Sequence, residues 1–293
     1  MRIAVVIATY NGAPTLPDAI ESLLGQSVAA DEIIVVDDGS TDGSAEIASR
    51  YPVTVLHSPQ NQGVASARNR GIRATGAGLI AFLDSDCIAP SDWLQRIREH
   101  FESDPDLAAL GGRGTEQHRE TWADEFRSRF CAMTYGDTPR RVLHLFGLCS
   151  AYRRDAILEV GPFNPFFLRK GEEVDLGYKL TRAGKKIRYD PELFVYHERR
   201  DTPASLLRSC YQAHYYGKLA KLANYGSSAR EFLRSFLGVG ILAGRQMVDA
   251  VAHLRIRLIP ISLALAVLRL KALCVILISY RKLMEEYRSR QSE

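Results

Sequence analysis

The first hundred residues alternate short apolar runs with amphipathic segments, and this alternation limits the folds open to the chain more than any other feature. Runs rich in Val, Ile and Leu occupy residues 2–10, 31–40, 53–58 and 78–86. Segments with helical spacing of apolar residues, or with residues typical of helix caps, separate these runs. Strands covered on both faces are continuously apolar, and strands that alternate with helices at this spacing predict a parallel sheet of βαβ units.

Polar residues gather where three of these predicted strands end. Ligands of parallel sheets bind outside the carboxyl ends of the strands, so side chains at those ends are expected to face one crevice. The clusters follow the first, second and fourth strands and comprise Thr9, Tyr10 and Asn11; Asp37, Asp38, Gly39 and Ser40; and Asp84, Ser85 and Asp86. Their convergence predicts an acidic binding site at one rim of the sheet.

The glycine motifs that hold phosphate groups in many α/β proteins are missing from this sequence. No G-x-G-x-x-G follows the first strand, and no G-x-x-x-x-G-K-[ST] occurs anywhere. A diphosphate beside several carboxylates then requires a cation, and Mg²⁺ and Mn²⁺ bind carboxylate and phosphate oxygens together. An isolated Asp-x-Asp is ordinarily an acidic surface turn. Asp84 and Asp86, however, follow a buried strand and lie level with a second Asp pair, which favours metal and nucleotide binding.

Five blocks of the first hundred residues agree in content and spacing with one known pattern. They read VVIATYNG, LPDAIESLLGQS, DEIIVVDDGSTDGS, NQGVASARNRGI and GLIAFLDSDCIAP. Together they resemble the nucleotide-sugar-binding half of the family 2 glycosyltransferases. The resemblance implies an α/β GT-A (Rossmann-like) fold, a mostly parallel sheet flanked by helices, followed by an α-helical C-terminal region. It also implies a nucleoside-diphosphate sugar as donor, with a UDP-sugar favoured, bound together with Mg²⁺ or Mn²⁺.

The resemblance assigns roles to individual donor-side residues by position. It implies that Thr9, Tyr10 and Asn11 lie beside the base and ribose, that Asp37 or Asp38 contacts the base, and that Arg68 approaches the nucleotide. It also implies that Asp84 and Asp86 form the metal motif, and that with Ser85 between them they also belong to the nucleotide-sugar-binding residues. Structural alternatives stay open for single members, because Tyr10 can simply pack and Arg68 can be a solvated helix residue.

The second half is expected to supply the catalytic base. In the family that this chain resembles, a helix that usually opens with Glu-Asp carries the base of an inverting transfer, and here the matching residues are Glu172 and Glu173. A carboxylate is what the chemistry needs, because it takes the proton of the acceptor hydroxyl. Glu173 is the first candidate, and Glu172 or Asp175 serves if the local register differs. Acidic residues at a helix start also stabilise the helix dipole by about 0.3–1 kcal/mol without any catalytic role.

A histidine and a missing motif complete the implied mechanism. His197 ends an apolar run, and the resemblance gives it a place near the metal or the diphosphate, although a lone histidine there is usually structural. Processive members of the family carry Gln-x-x-Arg-Trp after the base helix, and residues 205–218 lack that motif. Transfer of one sugar per encounter is therefore expected, and the resemblance implies that configuration inverts.

Charge and cysteine content restrict the partners and the compartment. The net charge of +4 gives no case for nucleic acid as a partner. The five cysteines are odd in number and widely spaced, which favours a reducing compartment, and the apolar start of the chain shows no signal-peptide pattern. A scaffold that binds nucleotide sugar without turnover is the alternative function. A nucleotidyltransferase is disfavoured because no glycine-rich basic loop follows the first strand.

The sequence predicts two domains. Residues 1–204 are expected to form the glycosyltransferase domain, with residues 1–100 binding the nucleotide sugar and residues 101–204 carrying acceptor and catalytic groups. Residues 205–293 are expected to be helical, and to be membrane-associated or oligomerising.

The helical region has an ambiguous relation to membranes. Residues 258–279 are apolar and long enough to span a bilayer, but Arg269 and Lys271 in the middle cost about as much as the apolar residues gain. We therefore expect residues 235–282 to lie on the cytoplasmic face of the cell membrane or to pack in a homo-oligomer, and a core helix is the remaining alternative. A membrane-proximal tail suits a glycan or a lipid-linked acceptor.

Overall fold

The burial of the first strand places it in the middle of a layered structure. In the computed structural model, Ile3, Val5 and Ile7 of β1 (Ile3–Thr9) pack into one apolar cluster, and Val6 packs into a second. Because successive side chains of a strand point to opposite faces, the sheet around β1 has an apolar core on each side. The structure describes residues 1–226, 229–253, 255 and 258–291.

In the described part of the chain, nine strands form a single mixed sheet. The strands after β1 are β2 (Glu32–Asp37), β3 (Thr54–His57), β4 (Leu79–Leu83), β5 (Cys87–Ile88), β6 (Leu107–Glu116), β7 (Arg140–Arg141), β8 (Cys149–Arg153) and β9 (Lys186–His197). Their order is β3-β2-β1-β4-β8-β6-β9-β5, and β7 pairs with β9. The pairs among β1, β2, β3 and β4 are parallel, whereas β8 runs antiparallel to both β4 and β6. The polar ends of β1, β2 and β4 therefore share one edge.

Helices cover both faces of this sheet. In chain order the helices are α1 (Leu16–Leu24), α2 (Ser44–Ala48), α3 (Val64–Arg73), α4 (Trp93–Ser103), α5 (Trp122–Phe130), α6 (Arg154–Val160), α7 (Glu172–Arg182), α8 (Pro203–Tyr225), α9 (Ala229–Ala252) and α10 (Ile259–Gln291). Leu16 of α1 and Trp93 of α4 join the cluster of Ile3, whereas Ile72 of α3 and Leu176 of α7 join the cluster of Val6. This arrangement confirms the predicted α/β fold class with helices flanking the sheet.

The chain divides into two compact units. The sheet unit comprises Met1–Gln117 and Met133–Glu198, and the helical unit comprises His118–Ala132 and Arg199–Glu293. The helical unit has its own apolar cluster, which includes Phe126 of α5, Leu206 of α8 and Leu265 of α10. Thr121 and Thr202 form capping boxes at the starts of α5 and α8, satisfying backbone N–H groups that a helix start leaves without partners.

The helical C-terminal region is confirmed. By length and composition, the 33-residue helix α10 is able to cross a membrane, and 39% of its most apolar window is buried inside the protein. Core helices of soluble proteins meet the same two criteria. The range 235–282, for which the sequence predicts membrane contact, includes residues 254, 256 and 257, which lie outside the described residues.

Candidate active site

The loops after β1 and β2 are tied together by hydrogen bonds at the predicted rim. Asn11 has a left-handed backbone (φ 54°), its backbone N–H donates to Ser40 Oγ at 2.9 Å, and its Oδ1 accepts from the Thr41 backbone N–H at 2.9 Å. Thr9 is buried, and Tyr10 is half exposed. Asn11 thus holds the two loops against each other, a structural task that the sequence alone did not show.

Asp37 and Asp38 are buried, and both accept hydrogen bonds from the protein. Asp37 Oδ2 lies 2.7 Å from His57 Nδ1, and Asp38 accepts from the backbone N–H groups of Gln62 at 3.1 Å and Gly63 at 2.7 Å. Burial raises the pKa of Asp38, although these backbone hydrogen bonds oppose the rise. The structure places both carboxylates at the rim and uses Asp38 to hold the loop before α3.

Close contacts bring Ser85 to the same rim. A Cβ added to Gly12, in the loop after β1, would lie 2.4 Å from Thr9 Oγ1 and 3.1 Å from Ser85 Oγ. A side chain larger than hydrogen at this position would therefore collide with the Thr9 hydroxyl and press against that of Ser85. The clusters after β1 and β4 abut through Gly12, and Asn11 joins the cluster after β1 to the one after β2. The predicted convergence of the three strand ends on one region is present.

Arg68 links this rim to the start of α7. It is only 4% exposed, its Nη2 donates to Asp84 Oδ1 at 2.8 Å, and its Nη1 donates to Glu172 Oε1 at 2.5 Å. The guanidinium carbon lies 5.6 Å from the ring centroids of Phe82 and Phe163. Burial disfavours the charged guanidinium, but the charges of Glu172 and Asp84 outweigh burial and raise the pKa of Arg68. Three predicted site residues, far apart in the sequence, therefore form one charged network.

The first turn of α7 presents the three candidate bases in different surroundings. Glu172 is buried against Arg68, and burial followed by the charge of Glu173 raises the pKa of Glu172 well above its ordinary value. Asp175 is fully buried, and its Oδ2 lies 3.2 Å from Lys179 Nζ. Glu173 is partly exposed and accepts a hydrogen bond from the Gly171 backbone N–H at 3.2 Å. Of these three carboxylates, that of Glu173 is the one partly open to solvent.

His197 lies between two carboxylates at the end of β9. Its Nε2 is 3.3 Å from Asp86 Oδ2, and its Nδ1 is 3.1 Å from Glu116 Oε2. Burial alone would lower the pKa of His197, but the hydrogen bonds to Asp86 and Glu116 outweigh burial and raise the pKa to about 9. The two carboxylates therefore hold the imidazole from both ring nitrogens.

The groups around Asp86 suit a hard divalent cation. Among the described residues, ligand atoms of Asp86, Cys87 and His197 lie within 4.8 Å of one another. Carboxylate oxygen and imidazole nitrogen are ligands for Mn²⁺, and Mg²⁺ prefers the oxygen ligands. Burial, followed by the charges of Asp86 and Asp84, raises the pKa of the Cys87 thiol well above its ordinary value, so sulfur stays protonated and is a poor ligand. The side chains of Asp84 and Asp86 are 39% and 36% exposed, which leaves them accessible to an ion.

Sequence reasoning missed Glu116 and an aromatic group near Glu173. Glu116 is buried at the end of β6 beside His197. Tyr135 Oη lies 2.9 Å from His144 Nδ1, and the His144 and Tyr178 rings meet edge to face at 5.7 Å. Burial lowers the pKa of His144, although the charge of Glu173 opposes the shift. Glu116 lies opposite His197 because β6 pairs with β9. This pairing would identify Glu116 as a site residue, but it is a feature of the tertiary structure and cannot be read from the sequence.

Comparison with known proteins agrees with this fold. The sequence model of Glycosyl transferase family 2 matches residues 4–161, which is more than half of the chain. The chain is 31% identical over 231 residues to the pre-mycofactocin glycosyltransferase of Mycobacterium tuberculosis, covering 75% of this chain and 47% of that protein. It is 26% identical over 199 residues to the poly-beta-1,6-N-acetyl-D-glucosamine synthase of Staphylococcus aureus, covering 64% and 48%. The chain thus spans about half the length of these relatives.

A solved structure shares the architecture. The mannosyltransferase PcManGT of Pyrobaculum calidifontis, solved with GDP-Man and Mn²⁺, superposes with a TM-score of 0.63 at 18% identity, covering 94% of this chain and 86% of that one. At this identity the likeness concerns the fold alone. The family match, and the strand ends and helix starts that meet at one rim, lead to the same assignment: the chain belongs to glycosyl transferase family 2.

Proposed function

We propose that the protein is an inverting glycosyltransferase that moves one sugar from a nucleoside-diphosphate sugar, with a UDP-sugar favoured, to a hydroxyl of a glycan or lipid-linked acceptor. The observation that carries this proposal is the network in which Arg68 joins Asp84, at a strand end, to Glu172 at the start of α7. These ion pairs join the strand end of Asp84 to the first turn of α7, which supports a transfer between two substrates bound side by side.

The donor is proposed to lie across the ends of β1, β2 and β4. Thr9, Tyr10 and Asn11 would face the base and ribose, with Asp37 or Asp38 at the base. Arg68 and Ser85 would approach the nucleotide phosphates. Arg68 is already held by two carboxylates, which would fix its side chain before the donor arrives and reduce the entropy lost on binding.

Asp84, Asp86 and His197 are proposed to hold Mg²⁺ or Mn²⁺. The bound ion would supply positive charge to the departing nucleoside diphosphate. Glu116 contacts the Nδ1 side of His197, and such a carboxylate orients a ligating imidazole and sets which nitrogen faces the metal. The solved mannosyltransferase contains Mn²⁺ with its nucleotide sugar, which supports a divalent ion here.

Glu173 is proposed as the base that takes the proton from the acceptor hydroxyl. Asp175 is neutralised by Lys179, and Glu172 is held by Arg68, so both carboxylates already have a charged partner. Glu173 is partly exposed and, unlike Glu172, makes no ion pair among the described residues that occupies its carboxylate. A carboxylate in this position would be open to accept the proton of an acceptor hydroxyl.

The helical unit is proposed to contact the cytoplasmic face of the cell membrane. Exposed apolar residues recur at helical spacing along α9, namely Leu233, Leu237, Ile241, Val248 and Val251. An amphipathic helix of this kind lies in the headgroup region with its apolar face buried. The double substitution Leu237→Asp and Ile241→Asp should abolish sedimentation of the protein with vesicles of phosphatidylcholine and phosphatidylglycerol. Unchanged sedimentation would refute this contact.

Release of nucleoside diphosphate from a panel of UDP- and GDP-sugars with Mn²⁺ tests the enzyme proposal. We expect turnover by the parent protein and a loss of about 10²–10⁴-fold for Glu173→Gln. Glu102→Gln removes an exposed carboxylate on α4 and should leave turnover unchanged. Donor binding, followed by titration calorimetry, should persist in Glu173→Gln, because the base is not needed to bind the donor.

Each other outcome has a definite meaning. Turnover that survives Glu173→Gln but is lost in Glu172→Gln or Asp175→Asn moves the base to that residue. Donor binding without turnover by the parent protein, for every sugar and with Mg²⁺ or Mn²⁺, identifies the nucleotide-sugar-binding scaffold instead.

A further inference from the structure

The helical unit contains a basic cavity that the proposed transfer reaction does not use. The cavity has a volume of about 350 Å³ and lies among α8, α9 and α10. Its polar lining residues are His214, Lys218, Lys221, Arg234, Ser235 and Arg269. None of the described residues that line it is acidic. Four side chains that are cationic at neutral pH therefore face one small space.

Arg269 of α10 is the most deeply buried of these cations. It is 8% exposed, and its Nη1 atom is buried with no hydrogen-bond partner among the described residues. An arginine side chain stays charged in proteins, and a buried charge is costly unless a counter-charge or hydrogen bonds satisfy it. A guanidinium left in this state has donors ready for an anion.

His214 of α8 reports the electrostatic character of the cavity. Its Nε2 atom is buried and has no hydrogen-bond partner among the described residues. Burial, followed by the charges of Arg269 and Lys218, lowers the pKa of His214 to about 4. The imidazole is therefore neutral at pH 7, and a neutral imidazole carries one N–H donor. Burial and the neighbouring cations together disfavour a second proton on the imidazole.

Helical spacing explains how these side chains come together. His214, Lys218 and Lys221 are separated by four and three residues along α8, so they lie on one face of that helix. Arg234 and Ser235 come from α9, and the Lys218 Nζ donates to Ser235 Oγ at 2.7 Å. The cavity is thus built from three helices rather than from one flexible loop.

We propose that this cavity binds a phosphate-bearing anion, either a free phosphate or diphosphate or the phosphate of a lipid headgroup. Several cations around one cavity call for a ligand with more than one negative charge, which phosphate and diphosphate carry and a carboxylate does not. The Arg269 guanidinium matches phosphate oxygens in a two-point geometry, and the lysines act as point charges. No proposed donor-site residue lines this cavity, and the proposal does not depend on the proposed transfer.

Titration of the full-length protein with pyrophosphate in EDTA tests the site. EDTA removes divalent ions, so that metal-dependent diphosphate binding at the donor site does not contribute. Arg269→Met removes the buried cation, and Lys271→Met removes an exposed cation from the same helix. Arg234→Gln removes a cation at the rim of the cavity, and it tests the site even if Arg269→Met does not fold. Its control is Arg245→Gln, which removes an exposed cation from the same helix, α9. Sedimentation with phosphatidylcholine vesicles, with or without phosphatidic acid, forms the lipid arm.

We expect Arg269→Met and Arg234→Gln each to weaken binding by about tenfold, and the two controls to stay within about twofold of the parent protein. This pattern with pyrophosphate indicates a soluble phosphate ligand, and the same pattern with phosphatidic acid vesicles alone indicates a lipid headgroup. The proposal is overturned if the parent protein binds neither probe. It is equally overturned if Lys271→Met or Arg245→Gln weakens binding as much as its paired cavity variant. Because no donor sugar is present, neither result depends on turnover.

Discussion

Each of the two units contains a buried arginine, and the two arginines differ in the counter-charges that surround them. In the sheet unit, Arg68 is 4% exposed and makes ion pairs with Asp84 at 2.8 Å and with Glu172 at 2.5 Å. In the helical unit, Arg269 is 8% exposed, lines a cavity with other cations, and has a buried nitrogen without a partner among the described residues. The fold supplies counter-charges to Arg68, whereas the proposed counter-charge of Arg269 is a bound anion.

This difference separates two uses of buried charge. A charge with built-in partners holds elements together, and removing it leaves its partners without compensation. A charge without a partner costs the folded state free energy, which binding of an anion recovers. Substituting each arginine with an apolar residue of similar length should therefore change stability in opposite directions.

The largest effect is expected for Arg68→Met. This substitution leaves the buried Glu172 carboxylate without its cation, so the free energy of unfolding should fall by about 3–5 kcal/mol. Urea denaturation followed by circular dichroism measures the change. Arg73→Met, on the exposed side of the same helix, should change it by less than about 0.5 kcal/mol. Equal midpoints for the two variants would show that the Arg68 network does not stabilise the fold.

The second effect concerns the pH dependence of stability and involves His214. The folded pKa is about 4, below the ordinary value of 6.5, so between these values the unfolded state binds the proton more strongly. Stability should therefore be lost as the pH falls from about 6.5 towards 4. The contribution amounts to about 2 kcal/mol between about pH 7.5 and about pH 5, from the linkage between pKa and free energy.

Comparing the parent protein with His214→Gln isolates this contribution. The variant should lose less stability than the parent protein over the same acid range, because Gln does not titrate. Urea midpoints measured at each pH give the comparison. Parallel curves for the two proteins would mean that His214 titrates alike in the folded and unfolded chain, and would contradict the burial of this imidazole beside cations.

The smallest effect has the opposite sign and involves Arg269→Met. In buffer free of phosphate, removing this buried charge, whose Nη1 has no hydrogen-bond partner among the described residues, should raise the free energy of unfolding by about 1 kcal/mol. Apolar replacement of buried ions is often stabilising. Added pyrophosphate should reduce this advantage, because it stabilises the parent protein more than the variant. Thermal unfolding with and without pyrophosphate measures both changes. Destabilisation as large as that of Arg68→Met would remove the contrast between the two units.

Much of the sheet could be predicted from the sequence. The four apolar runs were long, continuous and separated by helical patterns, so β1, β2, β3 and β4 and their parallel pairing followed from local signals. The insertion of β8 between β4 and β6, antiparallel to both, did not follow, because register between distant strands is set by packing rather than by local residue preference.

The candidate site likewise contains residues that the sequence could locate and residues that it could not. The acidic residues at the ends of β2 and β4 could be located by position, because a strand end fixes where the next side chains lie. The partners of those residues could not be located. The pairing of Arg68 with Glu172 spans 104 residues, and that of Glu116 with His197 spans 81.

By itself the sequence determined the α/β class, the family resemblance and the set of acidic residues at one rim, because each depends on neighbouring residues or on spacing along one element. Tertiary structure alone decided which charges are paired and which are left open. Arg68 and Arg269 are the same residue type on helices, and the sequence around each does not show which of them has counter-charges in the folded protein. The distinction arises because burial and counter-charges come from elements distant in the chain, and the free energy of a buried charge depends on those surroundings.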